Sequence, residues 1–289
     1  MRRSVLMPLL GVLAACVMPL AASAGSGATS TQSRAAAVPA SSFTLGGAKC
    51  SLIPVPTADG QLPVGTGTCP GVRPGGELRS DIGQCTLNFL FETPNHERYI
   101  GTAGHCILGD GPVQGNSGEK MWAKGEGPAA KDPTGQRFGE FAYAVLQDPK
   151  DFALIRLDPG VEASPEMCNF GGPSGINDDI SGDPTVLHYF GNGIGIGTAL
   201  PARSAVAMGL PNADHVYAAG LALPGDSGSA VISEDGRAVG VLVTVGVHGF
   251  GIDDSGGIDF GTVGITRIVP QVNRAADALG IKLTMITKK

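Results

Sequence analysis

Thr102-Ala103-Gly104-His105-Cys106 sets a histidine just past the end of a predicted strand, Arg98 to Thr102. Alone, a histidine is more often a satisfied structural residue than a chemical one. Here the small neighbours Ala103 and Gly104 let the backbone pack closely, and Cys106 offers a way to pin the loop. Further along stands Asp151-Phe152-Ala153-Leu154-Ile155, a carboxylate at the edge of an apolar run. Asp148 and Asp158 lie near it, but neither starts an apolar strand in the same way. Further still stands Gly225-Asp226-Ser227-Gly228-Ser229, a serine among glycines. A serine hydroxyl is a poor nucleophile until a neighbouring base accepts its proton. His105 is the candidate base, Asp151 the carboxylate that orients it, and Ser227 the candidate nucleophile.

The order His, Asp, Ser along the chain distinguishes this set from the subtilisin-like and α/β-hydrolase orders. On these three segments, over roughly residues 80 to 280, the chain resembles the chymotrypsin-like serine proteases of the compact secreted bacterial type. The resemblance implies an all-β fold of two six-stranded antiparallel β-barrels with a C-terminal α-helix and the active site in the cleft between the barrels. It implies an oxyanion hole from the N–H groups of Gly225 and Ser227, and a disulfide between Cys85 and Cys106 that pins the histidine loop. Closing a loop of about 20 residues in that way is worth roughly 3 kcal/mol. The family's primary pocket has its floor six positions before the serine, at Leu221 here, followed by Ala222. With no acidic residue there, a preference for Lys or Arg is not expected, and an apolar side chain is. The substrate-pairing strand is expected at Thr244-Val245-Gly246, where a peptide would add as an extra strand. The segment from Gly240 to Gly246 is one residue longer than the family's common pattern.

Two features depart from the family. No basic residue followed by Ile-Val-Gly-Gly occurs, so activation by a tryptic cut is not expected. Asp226 must then find a partner other than a freed N-terminus. Ser229 stands where a second glycine is commoner.

Composition agrees with a turn-rich β protein. The chain has 289 residues, enough for one two-barrel unit and an N-terminal extension. Glycine numbers 45 and proline 21, while charged residues make up only 16%, which argues against a helical bundle. A net charge of −6 and 5% aromatics exclude the basic surface and stacking platform of a nucleic-acid binder.

The N-terminus reads as an export signal over residues 1–24: Arg2 and Arg3, an apolar run from Val5 to Leu20, then Ala22-Ser23-Ala24 as a small-residue cleavage site. Leu13-Ala14-Ala15-Cys16 supports a second reading, a lipobox that would place lipid on Cys16 and make it the one route to a membrane. Residues 25–78 are expected to be a flexible linker and then either a pro-segment or an arm around the first barrel. Residues 79–289 are expected to form the protease-like domain, its barrels meeting near 165–185. Cys50, Cys69 and Cys168 can pair as Cys50–Cys69 or Cys69–Cys168, and their spacings are not those of a zinc site.

Strands are expected over Gln84–Phe91, Phe138–Val145, Phe152–Leu157 and Thr185–Phe190, and as a hairpin over Ala230–Ser233 and Ala238–Val245. Ile268, Val272, Ala275 and Leu279 recur at helical spacing within 267–280, and Gly280 supplies the stop. Together these observations predict a secreted, monomeric serine endopeptidase that acts on protein or peptide substrates with no metal or organic cofactor. A binding module on a protease scaffold, an esterase using the same triad, and a protease that cuts only itself or one partner are the alternatives.

Overall fold

The computed structural model describes the backbone of two strands, β1 (Ser42–Leu45) and β2 (Ala48–Ser51), and then residues 71–109, 118–167, 173–178, 185–193, 202–208, 212–245 and 261–288. The export signal, Cys16, Cys69, Cys168 and Gly246 lie outside these residues, and of Cys50 only the backbone is described. β1 and β2 pair as an antiparallel hairpin.

The first sheet is built from β3 (Glu77–Arg79), β4 (Gln84–Thr86), β5 (Leu90–Glu92), β6 (Arg98–Thr102), β7 (Gly118–Met121), β8 (Ala129–Lys131), β9 (Arg137–Gln147) and β10 (Lys150–Leu157). Its order is β5-β6-β10-β9-β8-β3-β4, with β7 also paired to β9. The strand expected over Gln84–Phe91 is broken in the middle, for a reason visible in its hydrogen bonds. β4 pairs with β3, whereas β5 pairs with β6 at the other edge of the sheet. Between them Leu87 hydrogen-bonds with Gly75 and Gly76, and the Asn88 N–H then turns to the Gly101 carbonyl at 2.7 Å. One bent stretch of chain thus serves both edges and curls this open sheet into a half-barrel, the first barrel of the fold; of the two six-stranded barrels expected, only the second is closed with six strands among the described residues. Residues before 79 are part of it: Val72 is buried, its N–H donates to the Glu162 carbonyl at 2.8 Å, and β3 begins at Glu77. The expected boundary at 79 therefore falls inside the sheet.

The second barrel is closed, in the order β11-β12-β13-β16-β15-β14. Its strands are β11 (Val186–Phe190), β12 (Ala202–Met208), β13 (His215–Gly220), β14 (Ala230–Ser233), β15 (Ala238–Val245) and β16 (Thr262–Arg267). Alternate residues of these strands, among them Leu187, Tyr189, Val216, Ala218, Val231, Leu242, Val263 and Ile265, fill its interior. The other face of β14 and β15, with Ala230, Ile232, Val241 and Val243, joins the core of the first barrel.

Two helices complete the described fold. α1 (His105–Leu108) is a single turn. α2 (Ile268–Leu279) buries Ile268, Gln271 and Ala275. It ends where the sequence places the stop: Gly280 adopts a left-handed φ of 64°, and the N–H groups of Gly280 and Ile281 return to the Asp277 and Ala276 carbonyls. The chain then recrosses to the first barrel, where β17 (Thr284–Met285) pairs with β5. Among the described residues, no helix is long and apolar enough to cross a membrane.

Candidate active site

His105 leaves the end of β6 as the first residue of α1. The turn it sits on is covalently anchored, because Cys106 is bonded to Cys85 on β4 as expected, with a Cα–Cα distance of 6.2 Å. Gly104 sits so close to the β9–β10 hairpin that a Cβ there would stand 2.0 Å from the Val145 carbonyl oxygen, which gives the small residue before the histidine its physical reason. Asp151, the second residue of β10, is buried and grips His105 twice. One carboxylate oxygen meets the ring Nδ1 at 2.7 Å, and the other accepts the His105 backbone N–H at 3.0 Å. A carboxylate on Nδ1 fixes the ring so that Nε2 is turned outward as the basic nitrogen.

Ser227 comes from the second barrel, on the loop between β13 and β14. That loop docks on the histidine loop. The Sγ of Cys106 lies 3.9 Å from the Ser227 carbonyl oxygen, and the Thr86 N–H donates to that same oxygen at 2.8 Å. Gly228 fits against β4 and β6 only without a side chain: a Cβ would meet the Thr86 carbonyl oxygen at 2.2 Å and Thr102 Oγ1 at 2.3 Å. The backbone of Ser227 thus docks beside the loop that carries His105.

Leu223-Pro224-Gly225-Asp226 is a β-turn closed by a 2.9 Å bond from the Asp226 N–H to the Leu223 carbonyl. Gly225 has a φ of 100°, which makes the turn type II, with proline and glycine at the positions that type favours. Among the described residues, neither the Gly225 N–H nor the Ser227 N–H has an acceptor. Two such donors, one within the turn and one just after it, are the chemical form of an anion cradle.

Asp226 has the partner that the sequence leaves open. Arg203 of β12 makes a two-pronged ion pair with its carboxylate, and both side chains are buried. Arg203 also lies over the Tyr189 ring, 5.3 Å from its centre. The Leu223 N–H adds a bond to Asp226 Oδ2 at 2.8 Å, and Ser229 Oγ donates to the Asp226 carbonyl at 2.6 Å. A hydroxyl at position 229 is therefore used to brace the loop. The Tyr189 hydroxyl, its pKa pushed up to about 12 chiefly by burial, stays protonated and donates to the Leu221 carbonyl.

The specificity residues are placed as follows. Ala222 is buried in the second barrel, whereas Leu221 is 44% exposed. Thr244 and Val245 are the last two residues of β15, described by backbone alone, and pair with Gly264 and Val263 of β16 on one side. The pairing of β15 with β14 ends at Val241. The register of β15 against β16 shifts between Leu242 and Thr244, so a bulge at Val243 takes up one residue in the segment that is one longer than the family pattern.

His105 has Cys85 and Cys106 as neighbours, but their sulfurs are bonded to each other and offer no thiolate to a metal. Arg203 and Thr86 are the residues that sequence reasoning missed. His215, on β13, is buried behind the aspartate with its Nδ1 3.3 Å from the Pro149 carbonyl oxygen. Burial pushes its pKa down, partly offset by that carbonyl and by Asp148, Asp151 and Asp214. The one sequence signal for Arg203 is a lone cation in an otherwise small, apolar stretch.

No protein-family profile matches the chain, and neither does any curated protein sequence. Solved structures do. The fold superimposes on Thermobifida fusca protease A with a TM-score of 0.50 and 16% identity, covering 74% of this chain and 98% of that one. Cellulomonas bogoriensis chymotrypsin gives a TM-score of 0.48 at 17% identity, over 78% and 100% of the two chains. A glutamic acid specific serine protease gives 0.49 at 17%, over 74% and 100%. At such identities the likeness is one of fold. With a closed second barrel, a first barrel rolled from a bent strand and a C-terminal helix, the chain has the two-barrel fold of the chymotrypsin-like serine proteases.

Proposed function

We propose that the chain is a secreted serine endopeptidase with His105, Asp151 and Ser227 as its triad. The observation that carries this reading is the double grip of Asp151 on His105, at 2.7 and 3.0 Å, beside the docked loop of Ser227. His105 Nε2 takes the Ser227 hydroxyl proton as Oγ attacks the peptide carbonyl carbon. The carbonyl π electrons move to oxygen, and the N–H groups of Gly225 and Ser227 receive the oxyanion. The C–N bond then breaks, and His105 returns its proton to the leaving amine. Water attacks the resulting acyl-enzyme by the same route and frees Ser227. Asp151 stays ionised throughout and stabilises the imidazolium.

The substrate extends along the Thr244, Val245 and Gly246 edge as an added strand, which the end of the β14 pairing at Val241 supports. Leu221 and Ala222 carry no charge to attract Lys or Arg, so the preferred side chain is apolar. Export follows from the signal-like residues 1–24, and the Cys85–Cys106 disulfide suits an oxidising compartment.

The test is cleavage of a peptide library by the purified chain. Ser227→Ala and His105→Ala should each lower kcat/KM by about 10⁴-fold or more, and the two together by little beyond that. A Ser227→Ala protein that hydrolyses as fast as the parent would overturn the proposal. Turnover of esters with no peptide cleavage would move the assignment to an esterase.

A further inference from the structure

Thr86 sits on β4 of the first barrel and is wholly buried. Its backbone N–H donates to the Ser227 carbonyl at 2.8 Å, and its side-chain Oγ1 donates to the Gly225 carbonyl at 2.7 Å. The same Oγ1 accepts the Asn192 N–H at 3.0 Å, and the Thr86 carbonyl accepts from Thr102 Oγ1 at 2.9 Å. Every polar group of Thr86 is therefore engaged. Two of its bonds hold the carbonyls of the two residues whose N–H groups line the proposed oxyanion hole.

The geometry points to Thr86 as a positioning residue for that hole, acting from the opposite barrel through its hydroxyl. The inference rests on the catalytic reading given above. The clamped carbonyls belong to the Gly225–Asp226 and Ser227–Gly228 peptides, each next to the peptide that carries the donor, so holding them limits how far either N–H can turn. With Asp226 fixed by Arg203, the segment 225–227 is held at each of its residues. Removing only the hydroxyl leaves the Gly225 carbonyl and the Asn192 N–H buried without their partner. The Gly225–Asp226 peptide, next to the one that carries the Gly225 N–H, then loses a bond that restrains it. An oxyanion-hole donor matters most when the oxygen carries full charge, so the loss should fall on kcat rather than KM.

The experiment compares Thr86→Val, which keeps the shape and loses the hydroxyl, with Thr86→Ser, which keeps the hydroxyl. Each is measured for kcat and KM on one peptide substrate, for affinity to a peptide boronate that mimics the tetrahedral adduct, and for melting temperature. Thr86→Val should lower kcat by about tenfold or more with KM within about twofold, and boronate affinity should fall in step. Thr86→Ser should restore both. If Thr86→Val does not fold, Thr86→Ala against Thr86→Ser gives the same contrast with less bulk. Parental kcat in the hydroxyl-free variants, or a loss that serine does not rescue, would overturn the inference. A parent chain that neither turns over nor binds the boronate would instead overturn the catalytic reading on which it rests.

Discussion

His105 and Asp151, in the first barrel, are held by neighbours of their own barrel: a disulfide one residue from the histidine, a glycine pressed on the next hairpin, and two direct hydrogen bonds. Ser227, in the second barrel, is held through its neighbours by a buried ion pair within that barrel, Arg203 to Asp226, and by bonds from the first barrel, Thr86 to Gly225 and Ser227. Their interiors differ in the same sense. Phe89, Phe91, Tyr99, Phe141, Tyr143 and Phe152 pack the first, whereas the second is mostly Ala, Val, Leu and Ile around Tyr189. A large aromatic core and a crosslink make a stiff platform for a base. A smaller aliphatic core gives less, and a buried ion pair fixes the nucleophile loop in its place. The lesson is that the same precision can come from covalent anchoring in one half and from buried polar pairing in the other.

The comparison can be broken most sharply at Arg203. Arg203→Met leaves the Asp226 carboxylate buried with no counter-charge, which should cost about 3–5 kcal/mol in chemical denaturation. A cost under about 1 kcal/mol would mean that the ion pair is not what holds the nucleophile loop. The matching change in the first barrel is removal of both Cys85 and Cys106 by serine. The 21-residue separation implies a loss of about 3 kcal/mol. Comparing kcat of the two variants at a temperature where both remain folded sharpens the contrast further. The Arg203 variant should be the slower, because its loop carries the proposed oxyanion donors, while Asp151 still orients His105 in the other.

The smallest effect is one of pH. Burial lowers the pKa of His188 and His215, so both are held neutral in the folded second barrel. The unfolded chain binds these protons below about pH 6.5, whereas the folded chain resists them. Their neutral burial therefore favours folding fully above about pH 6.5, and the advantage is lost as pH falls below that toward the folded values. Thermal melts from pH 7.5 down to 5 should show this as a falling Tm. His215→Asn should flatten the slope, and an unchanged slope would remove His215 from the account.

How far the sequence could be read follows from the same division. Strands with strong patterns, such as Arg98–Thr102, Ala230–Ser233 and Ala238–Val245, coincide with β6, β14 and β15, and α2 ends at Gly280. β12 and β13 were not legible, because Ala, Gly and Ser make up half or more of each and give little apolar alternation, and in β16 Gly264 interrupts a run of only six residues. β3, β7 and β8 are three or four residues long, too short for a period to register. The break at Leu87–Phe89 is invisible locally, since it arises from pairing with two partners at opposite sheet edges. In the site, the Asp151 contact with His105 and the approach of the Ser227 carbonyl to Cys106 join segments that the sequence singles out. Arg203 and Thr86 act from 23 and 139 positions away from their partners Asp226 and Gly225, and no short motif encodes contacts of that kind.

The proposed chemistry stands or falls on an assembled, accessible nucleophile at Ser227. Reaction of the full chain with a fluorophosphonate probe, read by intact mass and peptide mapping beside His105→Ala, is the test. The account predicts one adduct, on Ser227, that is absent from the His105→Ala protein. A well-folded parent chain that takes no label, or one labelled at another serine, would contradict it.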